Sequence, residues 1–332
     1  VPYRVRTHPL ATIGPLFRFC TNRLEPIETD VAPLRLRGTS LNVEMFIVAG
    51  GGGAGRANST DCPSAGGGAG GYISPSVNLN LTDYAADDPN EFVFTVSVGG
   101  GGAGSISSGK GSNGDSSAVE NSLGDALWGA TGGGGGGSGN ATLGSNAAIG
   151  STGGSGGGSG ANPTSRPGGS ASASFYPPDF LGEIQGSAGG ANKATLTRSA
   201  GGGGGRSGVG SAGTSGSGGN GGSGVLVLGV MCCAGGGGGA PNVGIAGTGG
   251  SGVGGNGVIG TTGMNAVAGR GSGGGGCSAT GGAGGNGSAG FVIIRYQGRQ
   301  VATGGSVYYA GGYTHHRFDS TGDFSLVKFS GG

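Results

Sequence analysis

The sequence predicts an all-β fold: a β-sandwich-like framework carrying a packed bundle of polyglycine-II helices, with almost no α-helix. Three observations predict it. Glycine makes up 93 of 332 residues, about four times ordinary usage. Most of it lies in one array, Gly50 to Gly290, bracketed by the apolar strands Val43-Glu-Met-Phe-Ile-Val48 and Phe291-Val-Ile-Ile-Arg-Tyr296. The apolar residues, 33% of the chain, are gathered into strand-like runs, and the net charge is only +1. Disordered chains show the opposite trend in both respects, so the array is expected to be ordered.

Glycine brings no side chain to a core and loses the most backbone freedom on folding. An ordered glycine array must therefore use its backbone as the packing surface. Polyproline-II geometry suits this, with three residues per turn and no internal hydrogen bonds. Side by side, such helices can bond each other laterally, so that every buried amide finds a partner. No strict Gly-X-Y period is present, which excludes collagen.

Residues 1–38 hold five prolines (Pro2, Pro9, Pro15, Pro26, Pro33) and six arginines (Arg4, Arg6, Arg18, Arg23, Arg35, Arg37). Proline at this density excludes helix and favours extended chain. Leu34-Arg-Leu-Arg37 alternates as an edge strand would. The segment reads as an extended arm, with a linker as the plainer alternative. It begins at Val1 without methionine or a signal-like apolar stretch, as a processed precursor or a trimmed chain would.

Residues 39–299 form the glycine-rich domain. Its first strand places Leu41, Val43, Met45 and Ile47 on one face and Phe46 and Val48 on the other, as in a strand covered on both sides. Further strands are expected at Tyr72–Val77, at Glu91–Val98, at Val225–Met231 as one buried strand, and at 291–296. A polar loop, 81–90, separates the second and third. Phe175-Tyr-Pro-Pro-Asp-Phe-Leu181 reads as an aromatic loop, either a plug on one end of the bundle or a receptor contact.

Residues 300–332 predict a C-terminal β-hairpin turning at Asp319-Ser-Thr-Gly322, its apolar positions being Tyr313, Phe318, Phe324, Leu326 and Phe329.

An apolar strand entering VAGGGGAG (Val48–Gly55), then GGGAGGY (Gly66–Tyr72), VGGGGAG (Val98–Gly104) and GFVIIRY (Gly290–Tyr296) resembles the glycine-rich domain of phage tail fibres and metagenomic surface proteins. The resemblance covers roughly residues 40–332. It implies an adhesive or structural β framework with polyglycine helices and no catalytic residues. In that family a segment like Gly312–Leu326 precedes the strand that enters the array, whereas here it follows the array. Either it folds back into its own framework, or it is donated to the next subunit and propagates a filament. Donation is expected.

Catalytic and ligand motifs are weak. Gly50-x-Gly52-x-x-Gly55 and Gly99-x-Gly101-x-x-Gly104 mimic dinucleotide fingerprints, but no helix is predicted after either. Gly104 and Gly109-Lys110 mimic a phosphate loop, yet Gly111 stands where a hydroxyl must hold Mg²⁺. His315 and His316 are adjacent, hence on opposite strand faces, and cannot chelate one metal together. No enzyme activity, cofactor or metal is expected.

Among Cys20, Cys62, Cys232, Cys233 and Cys277, the vicinal pair cannot bridge itself without unusual strain. A disulfide from one of the two to Cys62 or Cys277 is expected, with buried free thiols as the alternative. Sequons at Asn58, Asn80, Asn140 and Asn286 are glycosylation candidates, whereas proline excludes Asn162.

The near-zero charge argues against nucleic acid or an anionic membrane as the main partner, and no 18-residue apolar run exists to span a membrane. The functional expectation is a structural subunit of an extracellular or virion-surface fibre, assembled head to tail as a homo-oligomer by strand donation and glycosylated. The runner-up is a phage tail-fibre adhesin whose loops bind surface glycans or outer-membrane proteins.

Overall fold

The computed structural model describes residues 40–80, 93–107, 109–140, 142, 145–172, 185–194 and 197–326. The arm 1–38, the polar loop 81–90, the aromatic loop 175–181 and Phe329 lie outside the described residues. The fold is all-β. Its only described helices are two short 3-10 turns, at 146–148 and 250–252.

Two antiparallel sheets form the framework. The first contains β1 (Ser40–Val48), β2 (Tyr72–Ile73), β3 (Ser76–Asn80), β9 (Phe291–Gln297), β11 (Ser306–Ala310) and β12 (Tyr313–Phe318). Its order is β11-β12-β9-β1-β2, with β3 also paired to β1. The second contains β4 (Val93–Ser97), β5 (Ser117–Glu120), β6 (Ala126–Ala130), β10 (Ala302–Thr303) and β13 (Gly322–Leu326), in the order β10-β13-β4-β5-β6.

The core lies between these sheets. Alternation puts Leu41, Val43, Met45 and Ile47 of β1 and Val292, Ile294 and Tyr296 of β9 on the face that meets Phe94, Val96, Val119, Phe324 and Leu326. The opposite face of β1 and β9 is covered too. Val48, Phe291 and Ile293 pack with Val227, Cys232 and Cys233 of a small hairpin, β7 (Val225–Val227) and β8 (Val230–Cys232). Burial on both faces is what the near-continuous apolar runs of β1 and β9, each interrupted by one charge, predict.

Three expected elements differ. The strand expected at Tyr72–Val77 is divided by Ser74-Pro75 into β2 and β3, which pair with different parts of β1. Proline has no amide to give the ladder, but its carbonyl accepts a bond from the Met45 N–H at 2.9 Å. The single strand expected at Val225–Met231 is the β7–β8 hairpin, since Leu228 and Gly229 both have positive φ (46° and 85°) and turn the chain. The C-terminal hairpin is not a hairpin either. β12 pairs with β9 and β11, and β13 pairs with β4 and β10. The turn at Asp319–Thr321 is an arch between the two sheets, which lets Phe318, Phe324 and Leu326 all enter the core. The true hairpin is β11–β12, turning at Gly311-Gly312 with φ of 58° and 85°.

Beyond the framework the glycine blocks hold each other through their backbones, and the bonding repeats every third residue. In the first block the amides of Gly50 and Gly53 donate to the carbonyls of Asp115 and Ser112. Those of Gly51 and Ala54 donate to Ser288 and Gly285, and those of Gly52 and Gly55 to Gly68 and Ala65. Three successive amides thus address three different neighbours, and the fourth returns to the first. Gly66 and Ala69 (to Gly201 and Gly204), Gly67 and Gly70 (to Gly274 and Gly271), and Gly68 and Gly71 (to Gly134 and Thr131) repeat the pattern. A period of three is what a packed lattice of polyglycine-II helices requires.

Two buried polar side chains join framework to lattice. Ser117 Oγ donates to the Val48 carbonyl (2.8 Å) and accepts from the Gly99 amide (2.9 Å), where β1 and β4 run into glycine. Gln185 accepts from the Thr131 amide (2.7 Å) through Oε1 and donates to the Gly129 carbonyl (3.2 Å) through Nε2.

Candidate functional site

The C-terminal strands and the edge they create are the natural place to look for assembly. Residues 300–332 are no detached appendage, because β12 lies inside the first sheet and β13 inside the second. Of the two fates open to this segment, the structure shows it folded back into its own framework. Within this chain, the strands expected to be donated to a neighbour instead pair with β9 and β4. Phe318, Phe324 and Leu326 are core residues, and only Tyr313 of the described set lies partly open to solvent.

The return of the chain from β9 to β10 is fixed by a buried polar network. The Tyr296 hydroxyl accepts the amides of Val301 (2.9 Å) and Ala302 (3.1 Å) and lies 3.0 Å from His316 Nε2. His316 Nδ1 is 2.8 Å from the Gly304 carbonyl, so Nδ1 carries the proton and the tyrosine donates to Nε2. Burial lowers the pKa of His316, against the raising effect of the Gly304 carbonyl, and burial raises that of Tyr296. Both groups are therefore neutral, and each is satisfied.

The neighbouring His315 points the opposite way. It stacks on Tyr308 (centroids 4.6 Å apart) and meets the edge of Tyr313. Arg295 lies over Tyr313 (4.4 Å) and Phe46 (5.1 Å) and pairs with Glu44 at 2.6 Å. The row Glu44–Arg295–His315–Tyr308 crosses four strands in register. The two histidines occupy opposite faces, as their adjacency predicts. Among the described residues no group of three or more His, Cys, Asp or Glu is placed to hold a metal ion.

β11 is the edge of the first sheet, and all five of its residues are exposed. Val307 and Tyr309 lie opposite the buried His316 and Thr314, so they share the core-facing side. Yet they are 41% and 66% exposed. The first sheet overhangs the second here, and nothing among the described residues covers the overhang. The sequence carries its signal: Ser-Val-Tyr-Tyr-Ala followed by Gly-Gly marks an apolar strand and a tight turn.

The expected disulfide is absent, and Cys62, Cys232, Cys233 and Cys277 are buried free thiols. Separate surroundings account for this. Arg198 donates to Cys62 Sγ (3.4 Å), and Ser64 Oγ lies 3.4 Å from Cys277 Sγ. Cys232 ends β8 and Cys233 follows it at φ 55°, both packed against Val48, Phe291 and Ile293. Cys20 lies outside the described residues.

The sequons differ in accessibility. Asn286 is exposed, with Oδ1 holding the Gly104 amide at 2.7 Å. Asn58 is half-buried. Asn140 is half-buried too, and its Nδ2 donates to Ser145 Oγ at 3.1 Å. Asn80 ends β3.

A family model described as a glycine-rich domain matches residues 35–297. The chain belongs to the glycine-rich domain family. The match begins before β1 and stops at the end of β9, so β10–β13 complete both sheets from outside it. No curated protein matches the chain. Among the described residues no helix is long and apolar enough to cross a membrane.

Proposed function

We propose that this chain is a structural subunit of an extracellular or virion-surface fibre, assembled head to tail by β-strand donation and glycosylated, with Asn286 the exposed sequon among the described residues. The observation that supports this best is the threefold backbone lattice. A bundle in which successive amides bond three different neighbours has little freedom to bend, and stiffness is what a fibre needs from its subunit. The open edge at β11 supplies a place for lengthwise contact. No catalytic role, cofactor or nucleic-acid partner belongs to this reading.

Electron microscopy of the purified full-length chain tests it. Long filaments of uniform width are expected, and compact single particles across a wide concentration range would overturn it.

One observation favours the second reading, a phage tail-fibre adhesin. Large apolar side chains stand exposed on loops of the glycine domain: Val243 (93%), Leu123 (84%) and Ile106 (82%). Exposed apolar tips suit recognition of a surface glycan or outer-membrane protein. Single particles that bind host envelope through these loops would move this reading ahead.

A further inference from the structure

We infer that the open edge of β11 receives a strand from the arm 1–38 of a second copy of this chain. The inference rests on the fibre reading and names the two surfaces that make its contact.

The edge is incomplete in a specific way. β11 pairs with β12 on one side, and no described residue pairs with the other. Ser306-Val-Tyr-Tyr-Ala310 contains no lysine, proline or inward charge, the usual devices that protect a free edge. Its core-facing residues, Val307 and Tyr309, are exposed together with the rest of the strand. An added strand would therefore gain a ladder of backbone bonds and also cover apolar surface. A pocket of ≈ 290 Å³ opens at the foot of β11, lined by Gly305, Ser306, Arg317 and Asp319 among others. It leaves room for a chain entering the edge.

The length and sequence of the arm fit this edge. The C-terminal strands, the obvious alternative donor, are already committed to the chain's own sheets. The arm precedes Ser40, the first residue of β1, and its 38 residues reach roughly 125 Å when extended at ~3.3 Å each. That exceeds several times the roughly 25 Å width of a six-stranded sheet at ~4.8 Å per strand.

Its sequence contains two-residue alternation that suits a half-covered edge. Val1, Tyr3 and Val5 alternate with Pro2, Arg4 and Arg6, and Phe17 and Phe19 flank Arg18. Either stretch could place apolar residues beside Val307 and Tyr309 and keep its arginines in solvent. Charge agrees in sign. The arm carries six arginines against Glu25, Glu28 and Asp30, a net +3, which leaves −2 for the rest of a chain whose total is +1. An arm that covered its own β11 would close the edge and leave a monomer, so the fibre reading assigns the arm to a neighbour.

The test uses the full chain with a photoreactive phenylalanine analogue in place of Tyr309, mixed in equal amounts with ¹⁵N-labelled unmodified chain. After assembly and irradiation, mass spectrometry locates the cross-linked peptides. Cross-links from position 309 to peptides within 1–38 are expected, about half of them to ¹⁵N-labelled chain. Cross-links to the arm of the same chain alone, or to any other region of a second copy, would overturn the inference.

Microscopy of the same sample separates the two readings. Filaments whose cross-links lie elsewhere leave the fibre standing and remove this contact, whereas an absence of filaments removes the fibre as well. A second variant, Val307→Lys with Tyr309→Lys, changes two exposed residues, so its far-UV circular dichroism should match that of the native chain. Complete loss of filaments is expected of it, and undiminished filaments would overturn the inference.

Discussion

Replacing Gly67 by alanine tests the lattice directly. Gly67 donates to the Gly274 carbonyl and accepts from the Gly236 amide, both at 2.9 Å, and is itself buried. A Cβ at this position would lie 2.6 Å from the Gly52 carbonyl carbon and 2.8 Å from the Gly53 oxygen, inside the 3.0 Å that real Cβ contacts essentially never breach. These obstacles are backbone atoms, so no side-chain rotation relieves them. Overpacking alone costs about 1–3 kcal/mol. Moving the glycine segment 65–71 outward also stretches one of the two bonds, and a buried group left unpaired costs about 1–3 kcal/mol more. Gly67→Ala should therefore destabilise the fold by about 2–6 kcal/mol. Gly260 is the control, because a Cβ there meets nothing within 4 Å. Gly260→Ala should stay within about 1 kcal/mol of the native chain. Guanidinium unfolding followed by circular dichroism and by fluorescence measures both. If Gly67→Ala unfolds at the same denaturant concentration as Gly260→Ala, glycine is not required by close approach and the lattice argument fails.

The remaining predictions concern the framework and the thiols. Tyr296→Phe removes the acceptor for two buried amides and the donor to His316, and should cost at least about 2 kcal/mol in the same unfolding assay. His316 has a folded-state pKa below its ordinary value, so the unfolded chain binds more protons between the two. The stability this contributes is fully present above the unfolded pKa of ~6.5 and is lost as pH falls through the folded value. Thermal midpoints should thus drop on acidification from pH 7, less steeply in His316→Asn, and an equal slope in both proteins would refute the assignment. Native protein should expose at most one thiol to an aromatic disulfide reagent, Cys20, and five in guanidinium without reductant. Fewer than five would mean that a disulfide forms.

What the sequence revealed depended on side chains. β1 and β9 were legible because Val43–Val48 and Phe291–Tyr296 are long apolar runs with few partners they could belong to. β5 and β6 were not singled out, since Ser-Ala-Val-Glu and Ala-Leu-Trp-Gly-Ala carry little alternation. β7–β8 was hidden because Leu228, an ordinary strand residue, adopts positive φ beside Gly229. The arch was misread for a related reason. Asp319-Ser-Thr-Gly322 has turn chemistry whether the flanking strands pair with each other or with two different sheets, and only the destinations of Phe318 and Phe324 decide between them. The glycine blocks announced themselves by composition, but nothing in them says which block bonds which. A glycine has no side chain to encode register, so that information must come from elsewhere.

It comes from the framework. β1 enters the lattice at Ala49, β4 at Gly99, and the lattice returns to β9 at Gly290. Pairing of Val48 with Phe291 sets the first and last of these side by side, and the Gly290 amide donates to the Gly99 carbonyl at 3.0 Å. Ser117 holds Val48 and Gly99 together through one hydroxyl. The side-chain-coded register of the sheets is thus imposed on the segments at the moment they become glycine. From that seam, a period of three propagates it outward through the backbone bonds of the lattice. The same logic explains why the few buried polar residues at the seam, Ser117 and Gln185, matter more than their number suggests. Inside the lattice the same device recurs wherever a polar side chain interrupts the glycine, as where Asn113 Oδ1 accepts the Gly135 amide and Ser64 Oγ accepts the Cys277 amide, so these interruptions also let sequence specify alignment.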